Sequence, residues 1–155
     1  MWDAFIDGAK KYFPNASHCH DMYHCVTYLN DAVDKVRKRE VRHFPELRHT
    51  KYLWLKDQSK YTTNDQARFN KLEDAEHEVS QAWKVKELFR DLLHLKYHGD
   101  MESYGMLLRW MDDALRYNIE EINGVVFMFK RHLKGIVRAM VTGANNGKAE
   151  RTNGS

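Results

Sequence analysis

Apolar residues recur every three or four positions over most of the chain, which predicts a protein built mainly from α-helices. Two stripes are the clearest, formed by Met22, Val26, Leu29, Val33 and Val36 and by Ile119, Ile122, Val126, Phe129, Leu133, Ile136 and Met140. Each stripe gives its helix one continuous apolar face that packs against a partner. Gly143 is expected to end the second of these helices, since glycine readily adopts the backbone conformation found after a helix.

Shorter periodic runs predict further helices between and before these two. They lie at residues 3–13, 47–55, 63–72, 82–92 and 100–114. Thr63 and Gln66 have the spacing of a capping box, and Asp100 suits the N-cap of the last of these runs. Gly99 is expected to end the run before it.

The composition adds that the chain has enough apolar material for a packed core. It has 155 residues, of which 43% are hydrophobic and 12% aromatic, about the size of one domain. Two prolines and eight glycines are too few for a linker or a low-complexity chain. The longest apolar run, residues 125–129, is far shorter than the ~20 residues that span a bilayer, so a membrane protein is excluded.

The net charge bears on the class of partner, and the cysteine content bears on the cellular compartment. The net charge of +3, with nine histidines besides, leans towards nucleic acid without establishing it. Asp3 and Asp7 stand where a signal peptide carries basic residues, and two cysteines cannot form a disulfide framework. A cytoplasmic protein is therefore expected.

The densest group of potential metal ligands lies between His18 and Cys25, and comprises His18, Cys19, His20, His24 and Cys25. A zinc site would use two thiolates and two imidazoles from this group. The spacings Cys-x5-Cys and His-x-His are not those of structural zinc sites, and no second pair follows downstream. The zinc interpretation is therefore the weaker one, although the sequence leaves open whether these residues bind any metal.

Asp21 lies between the one segment that reads as a strand, residues 16–20, and the helix that begins near Met22. A single strand needs a sheet from elsewhere to satisfy its backbone groups. Asp21 reads as the N-cap of that helix or as a metal-binding carboxylate at the end of the strand. The two roles are compatible, because a cap uses only one carboxylate oxygen.

Glu150 follows a turn at residues 146–149 and would lie in the first turn of a new helix. On its own it is an ordinary acidic residue near a helix N-terminus. The chain contains no Ser-His-Asp order, glycine-rich phosphate loop or His-Glu-x-x-His helix that would indicate another chemistry.

The tryptophans and the basic runs each have a structural and a DNA-binding interpretation. Trp2, Trp54, Trp83 and Trp110 lie on or beside apolar faces, which favours core packing over base stacking. The basic runs at residues 36–39 and 130–132 could contact DNA phosphates, but such runs on helices are more often a solvated face.

Four segments in register resemble the ISL-three group of bacterial DDE transposases. Residues 21–37 resemble its Asp-x-(Phe/Tyr)-His-Val and Leu-Asn-x-Ala-(Leu/Val)-Asp-x-Val-Arg segment. Residues 51–56 and 82–89 are similar to its Arg/Lys-Tyr-Leu-Leu-Leu-Lys block and its Ala-Tyr-x-Leu-Lys-Glu helix. Residues 146–153 are similar to its Asn-Gly-x-(Ala/Val)-Glu-x-x-Asn motif. The resemblance runs the whole length of the chain.

The resemblance implies an RNase H-like catalytic domain with a helical insertion between the second and third catalytic acids. Asp21 would be the second acid, Glu150 the third, and His24 the histidine of the family's Asp-x-x-His motif. The expected division is an RNase H-like remnant at 1–21, the helical insertion at 22–142 and the third-acid motif at 143–155. In this family three carboxylates hold two Mg²⁺ ions that drive cleavage and joining of DNA strands at transposon ends.

The resemblance places the first acid just before residue 1, and Asp3 is not in register with it. We therefore expect residues 1–155 to be part of a catalytic domain that does not cleave DNA by itself. The expected partners are transposon-end DNA and either a second copy of the chain or an intact transposase. A helical module without enzymatic activity, which binds DNA or inhibits an intact transposase, is the alternative function.

Overall fold

The computed structural model describes residues 22–95 and 99–142, and all regular secondary structure within these ranges is helical. The longer helices are α1 (Met22–Glu40), α3 (Thr63–Asp74), α4 (Glu78–Leu93), α5 (Asp100–Arg116) and α6 (Glu120–Arg131). Between α1 and α3 lie the short helix α2 (Lys51–Leu55) and two 3-10 helices, Pro45–Leu47 and Gln58–Lys60. A last helix, α7, covers residues 133–142. The prediction of a mainly helical protein is confirmed.

Several predictions concern parts of the chain outside the described residues. They are the helix at residues 3–13, the strand at residues 16–20, the end of a helix at Gly143, and the positions of Asp21 and Glu150. The structure therefore tests the fold of the predicted insertion, residues 22–142, and not that of the two segments beside it.

Helix α1 lies at the centre of the described body, where it packs against α2, α4 and α6. Both apolar stripes seen in the sequence face the core, with Leu29, Val33 and Phe129 fully buried. Helix α5 packs against α4 and α6 and covers another side of the same core. The apolar spacing along the chain thus predicted which face of each helix is buried.

Two groups of aromatic rings fill the space between the helices. Phe89, Trp110 and Phe129 join α4, α5 and α6, with ring centroids 4.9 to 5.8 Å apart. Phe69 of α3 contacts Trp54 at 5.3 Å and Trp83 at 4.8 Å. A core role is therefore confirmed for the three tryptophans among the described residues.

Two predicted helix beginnings are each wrong by one residue. The capping box of α3 is formed by Thr62 and Asp65, whose side chains each accept from the other's backbone N–H at 3.1 Å. Helix α5 already includes Asp100, and Gly99 holds its N-cap position without a side-chain hydrogen bond. The carboxylate of Asp100 lies in the first turn, where its charge favours the helix dipole.

Two predicted helix ends also differ from the structure. Helix α4 ends at Leu93, several residues before Gly99. The long C-terminal helix is divided at His132, whose backbone leaves the helical conformation at φ −107° and ψ 24°. The N–H of His132 is shared between the carbonyls of Met128 and Phe129, and the N–H of Ile136 returns to the His132 carbonyl. This local tightening separates α6 from α7 without turning the apolar stripe away from the core.

Candidate functional site

The two acids that the sequence singles out border the described helical body. Asp21 directly precedes Met22, the first residue of α1, and Glu150 follows the end of α7 along the chain. Neither carboxylate is among the described residues, so their assignment as site residues stays a prediction. The structure does describe the helices that lead away from one acid and towards the other.

The first turn of α1 separates two members of the cluster considered for zinc. The side chain of His24 is exposed, whereas Cys25 is fully buried in the core. A zinc ion bound by both would need its two ligands on one side of the helix. No group of three potential ligands that could hold a metal occurs within residues 22–95 and 99–142.

A bidentate ion pair joins α1 to α6. The guanidinium of Arg39 donates from Nε to Glu121 Oε2 at 2.8 Å and from Nη2 to Glu121 Oε1 at 3.1 Å. Its third donor, Nη1, bonds Glu78 Oε2 at 2.9 Å, at the start of α4. These hydrogen bonds to Glu121 and then to Glu78 raise the pKa of Arg39 well above its ordinary value. We call these three side chains the Arg39 clasp.

The neighbouring residue, Glu40, fixes the beginning of α4. Its buried carboxylate accepts from the backbone N–H of Glu78 at 3.1 Å and of Val79 at 2.7 Å. His77 holds the N-cap position of α4 but makes no side-chain capping bond. Glu40 therefore satisfies the free N–H groups that a local serine or aspartate would otherwise cap.

The Arg39 clasp fixes the relative direction of α1 and α6. Arg39 lies in the last turn of α1, while Glu121 lies in the first turn of α6, and the two helices pack against each other. Going from the clasp back to Met22 covers about 25 Å of helix, and going forward to residue 142 covers about 30 Å. Met22 and residue 142 thus both lie away from the clasp along their helices.

The basic run at residues 36–39 has partners inside the protein. Arg37 donates from Nε to Asp34 Oδ1 at 2.9 Å, and Lys38 lies 3.3 Å from the other oxygen of the same carboxylate. Together with the Arg39 clasp, these contacts show that the run stabilises the fold. Charge reversal at these positions would therefore disturb packing as well as any DNA contact.

The sequence of this chain matches one family of known proteins. A family model for the ISL-three DDE group, described as a transposase, matches residues 1–155. The chain belongs to this transposase family. No curated protein and no solved structure matches it. Membership confirms the resemblance seen in the four motifs and makes the described body part of a transposase.

The transposase body also buries one lysine. The Lys86 side chain is inside the core, where Nζ donates to the carbonyl of Trp54 and lies 3.5 Å from Glu87 Oε1. Burial, opposed by Glu87 and reinforced by Arg90, lowers the pKa of Lys86 from 10.5 to about 8. The ammonium group thus joins α4 to the end of α2 at a cost in solvation.

We expect the contribution of Lys86 to the free energy of unfolding to increase as the pH rises from about 8 to 10.5. In this window the unfolded chain binds the proton more tightly, so deprotonation removes a penalty of up to about 3 kcal/mol from the folded state. Tyr61 acts in the opposite sense, because burial raises its pKa from 10.0 to about 12. Its contribution to the free energy of unfolding therefore falls as the pH rises from about 10 to about 12.

The measurement is urea unfolding of the native chain and of Lys86→Met at about pH 7 and about pH 10. The stability of the native chain relative to the variant should be greater at the higher pH. A difference that stays constant between the two pH values would contradict the assignment.

The polar contacts of this transposase body were not predicted from the sequence. Arg39 and Glu121 are 82 positions apart, and Glu40 bonds residues 38 and 39 positions away. One signal was available: His77 stands where α4 begins, and histidine is not among the residues that cap helices well. A missing local cap indicates that an acceptor comes from elsewhere in the fold.

None of the helices in the described part of the transposase chain is long and apolar enough to cross a bilayer.

Proposed function

We propose that residues 22–142 form the helical insertion of an RNase H-like DDE transposase domain, and that Asp21 and Glu150 are its second and third catalytic acids. The reaction is cleavage and joining of DNA strands at transposon ends. The observation that carries the proposal is the Arg39 clasp, because it joins the end of the first helix of the insertion to the start of α6, which leads to its last helix. Membership of the transposase family supports the reaction class.

An insertion between two catalytic acids has to return the chain to the site that it leaves. Helix α1 leads from Asp21 to the clasp, and α6 with α7 leads from the clasp towards Glu150. The outgoing helix α1 and the returning helix α6 pack against each other. This arrangement supports a site that Asp21 and Glu150 share.

The donor set of this proposed site fits magnesium. Aspartate and glutamate carboxylates are hard oxygen ligands, which Mg²⁺ prefers, whereas the neighbouring cysteines do not suit it. When bound, Mg²⁺ would activate the attacking hydroxyl and stabilise the leaving oxygen on the DNA phosphodiester. Asp21 and Glu150 would hold the ion, and His24 lies exposed in the first turn beside Asp21.

We expect the chain to bind Mn²⁺, used as a paramagnetic probe for Mg²⁺, at a site that needs both acids. Asp21→Asn and Glu150→Gln should each weaken this binding at least about tenfold, because each removes one charged ligand. The double variant should bind at least as weakly as the weaker single variant, because both carboxylates contribute to one site. The free Mn²⁺ is measured by electron paramagnetic resonance during titration.

Asp112→Asn and Glu76→Gln serve as controls, because they remove the same charges from exposed positions elsewhere. They should leave the affinity for Mn²⁺ within about twofold of the native value, as expected for distant surface charges. Losses for Asp21→Asn and Glu150→Gln that resemble those of the controls would contradict the shared site. The prediction that residues 1–155 alone do not cleave DNA is separate from this result.

A further inference from the structure

A stretch of the chain without acidic residues separates Glu121 from Glu150. Arg131, Lys134 and Arg138 lie in this stretch, at the end of α6 and on α7, and all three are exposed. Lys134 and Arg138 are four positions apart on one side of α7, and Arg131 precedes Lys134 by three positions, at the end of α6. We call these three residues the basic face.

The basic face lacks the ion pairs that several arginines of the body make. Arg37, Arg39, Arg90 and Arg116 each contact a carboxylate of the protein. None of the three basic-face side chains makes an ion pair or a side-chain hydrogen bond with the described residues. Their positive charge is therefore not neutralised within this part of the structure and is available to an external anion.

The dimensions of the basic face suit a regular array of phosphates. At the helical rise per residue, Arg131 and Arg138 lie about 10 Å apart along α6 and α7, with Lys134 between them. Each strand of duplex DNA presents a row of phosphates that a row of cations can contact. No sequence-specific contact is required for this kind of binding.

The surroundings of the basic face argue against other acidic partners. No large hydrophobic side chain is strongly exposed between residues 118 and 142. Helices that lie on membranes carry an apolar face beside their cations, and protein interfaces are anchored by aromatic or apolar residues. A polar, positively charged helix surface with neither feature fits a nucleic acid backbone best.

We propose that Arg131, Lys134 and Arg138 form a binding face for the phosphate backbone of double-stranded DNA. This inference rests on the proposed function, in which DNA is the substrate. It adds a location: the helix that leads towards Glu150 would hold the duplex beside the third acid. The face contributes affinity and position, while the sequence of the DNA is read elsewhere.

The test compares two triple variants of the full chain that lose the same charge. The first is Arg131→Gln, Lys134→Gln, Arg138→Gln. The control is Lys60→Gln, Lys71→Gln, Arg109→Gln, which removes exposed cations from surfaces with acidic neighbours along the chain. Binding of a fluorescently labelled duplex of random sequence is followed by anisotropy at several salt concentrations, and circular dichroism checks the folding of each variant.

The slope of log K against log salt is negative, and for the basic-face variant it should be less steep by about three. This is close to one for each lost phosphate contact. Between about 50 and about 200 mM salt, the native chain should thus lose roughly 40-fold more affinity than this variant does. The control should keep the native slope. If the triple variant were unfolded, Lys134→Gln and Arg138→Gln singly should each lower the slope by about one.

Equal slopes for the basic-face variant and the control would overturn the proposal. Basic-face-dependent binding that favours anionic vesicles or single-stranded RNA over duplex DNA would overturn it as well. Duplex binding is measured without a divalent metal, so that it does not depend on the proposed metal site. Failure of Mn²⁺ binding with an intact salt dependence would therefore count against the proposed catalytic site and not against the basic face.

Discussion

Phe129→Ala is expected to lower the free energy of unfolding by about 3–5 kcal/mol, the largest effect of any substitution proposed for this protein. The Phe129 ring is fully buried and lies 5.4 Å from the ring of Phe89 and 5.8 Å from that of Trp110. Its removal leaves a cavity where α4, α5 and α6 meet. The loss therefore includes both the transfer of the ring to water and the contacts that its neighbours no longer make.

Urea unfolding followed by circular dichroism measures this loss, with Phe44→Ala as the matched control. Phe44 is 38% exposed and contacts the ring of His77 from the side of the body. The same truncation there should cost about 1 kcal/mol or less, because little volume is left unfilled. Similar losses for the two variants would show that the aromatic cluster is not the centre of the core.

The prediction of the fold from sequence succeeded where the signal is local and periodic. The stripe from Met22 to Val36 identified the buried face of α1, and the stripe from Ile119 to Met140 identified that of α6 and α7. Both rest on the geometry of one helix, in which residues three and four apart share a face. The capping box of α3 was recognised one residue late, because Thr62 and Thr63 fit the same pattern.

The contacts that hold the helices together have no such local signal. Glu40 reads as the end of a basic helix, yet it caps α4 across the body. Lysine side chains are usually exposed, yet Lys86 is buried against the Trp54 carbonyl. Each depends on which helices become neighbours, and the periodicity of a single helix does not determine this.

The proposed catalytic residues present the converse case. Family motifs singled out Asp21 and Glu150, whereas the physical pattern alone allowed a helix cap or a metal-binding carboxylate for Asp21 and an ordinary acid near a helix N-terminus for Glu150. The described helices add the missing physical argument: an outgoing and a returning helix, joined at Arg39, connect the two segments. The motif names the acids, and the packing of α1 against α6 supports the proposal that they belong to one site.

Arg39→Met tests that connection, and it should lower the free energy of unfolding by about 2 kcal/mol. Methionine keeps the length of the side chain but leaves the Glu121 carboxylate, which is only 8% exposed, without its guanidinium. The loss stays below the ~3–5 kcal/mol of a fully buried pair because the Arg39 side chain is 44% exposed and water remains near it. Urea unfolding measures the change.

Arg116→Met is the matched control, since Arg116 is 80% exposed and lies 3.5 Å from Asp113 one turn away. That substitution should cost at most about 0.5 kcal/mol. A loss for Arg39→Met no greater than this would show that the clasp does not stabilise the body.

If the clasp also positions the acids, Arg39→Met should weaken Mn²⁺ binding under conditions where the variant is still folded. Adding Glu121→Leu should restore stability, because it removes the unpaired buried charge. Recovery of both stability and Mn²⁺ affinity would show that the packing of α1 against α6, rather than the charges of the clasp, brings Asp21 and Glu150 to one site.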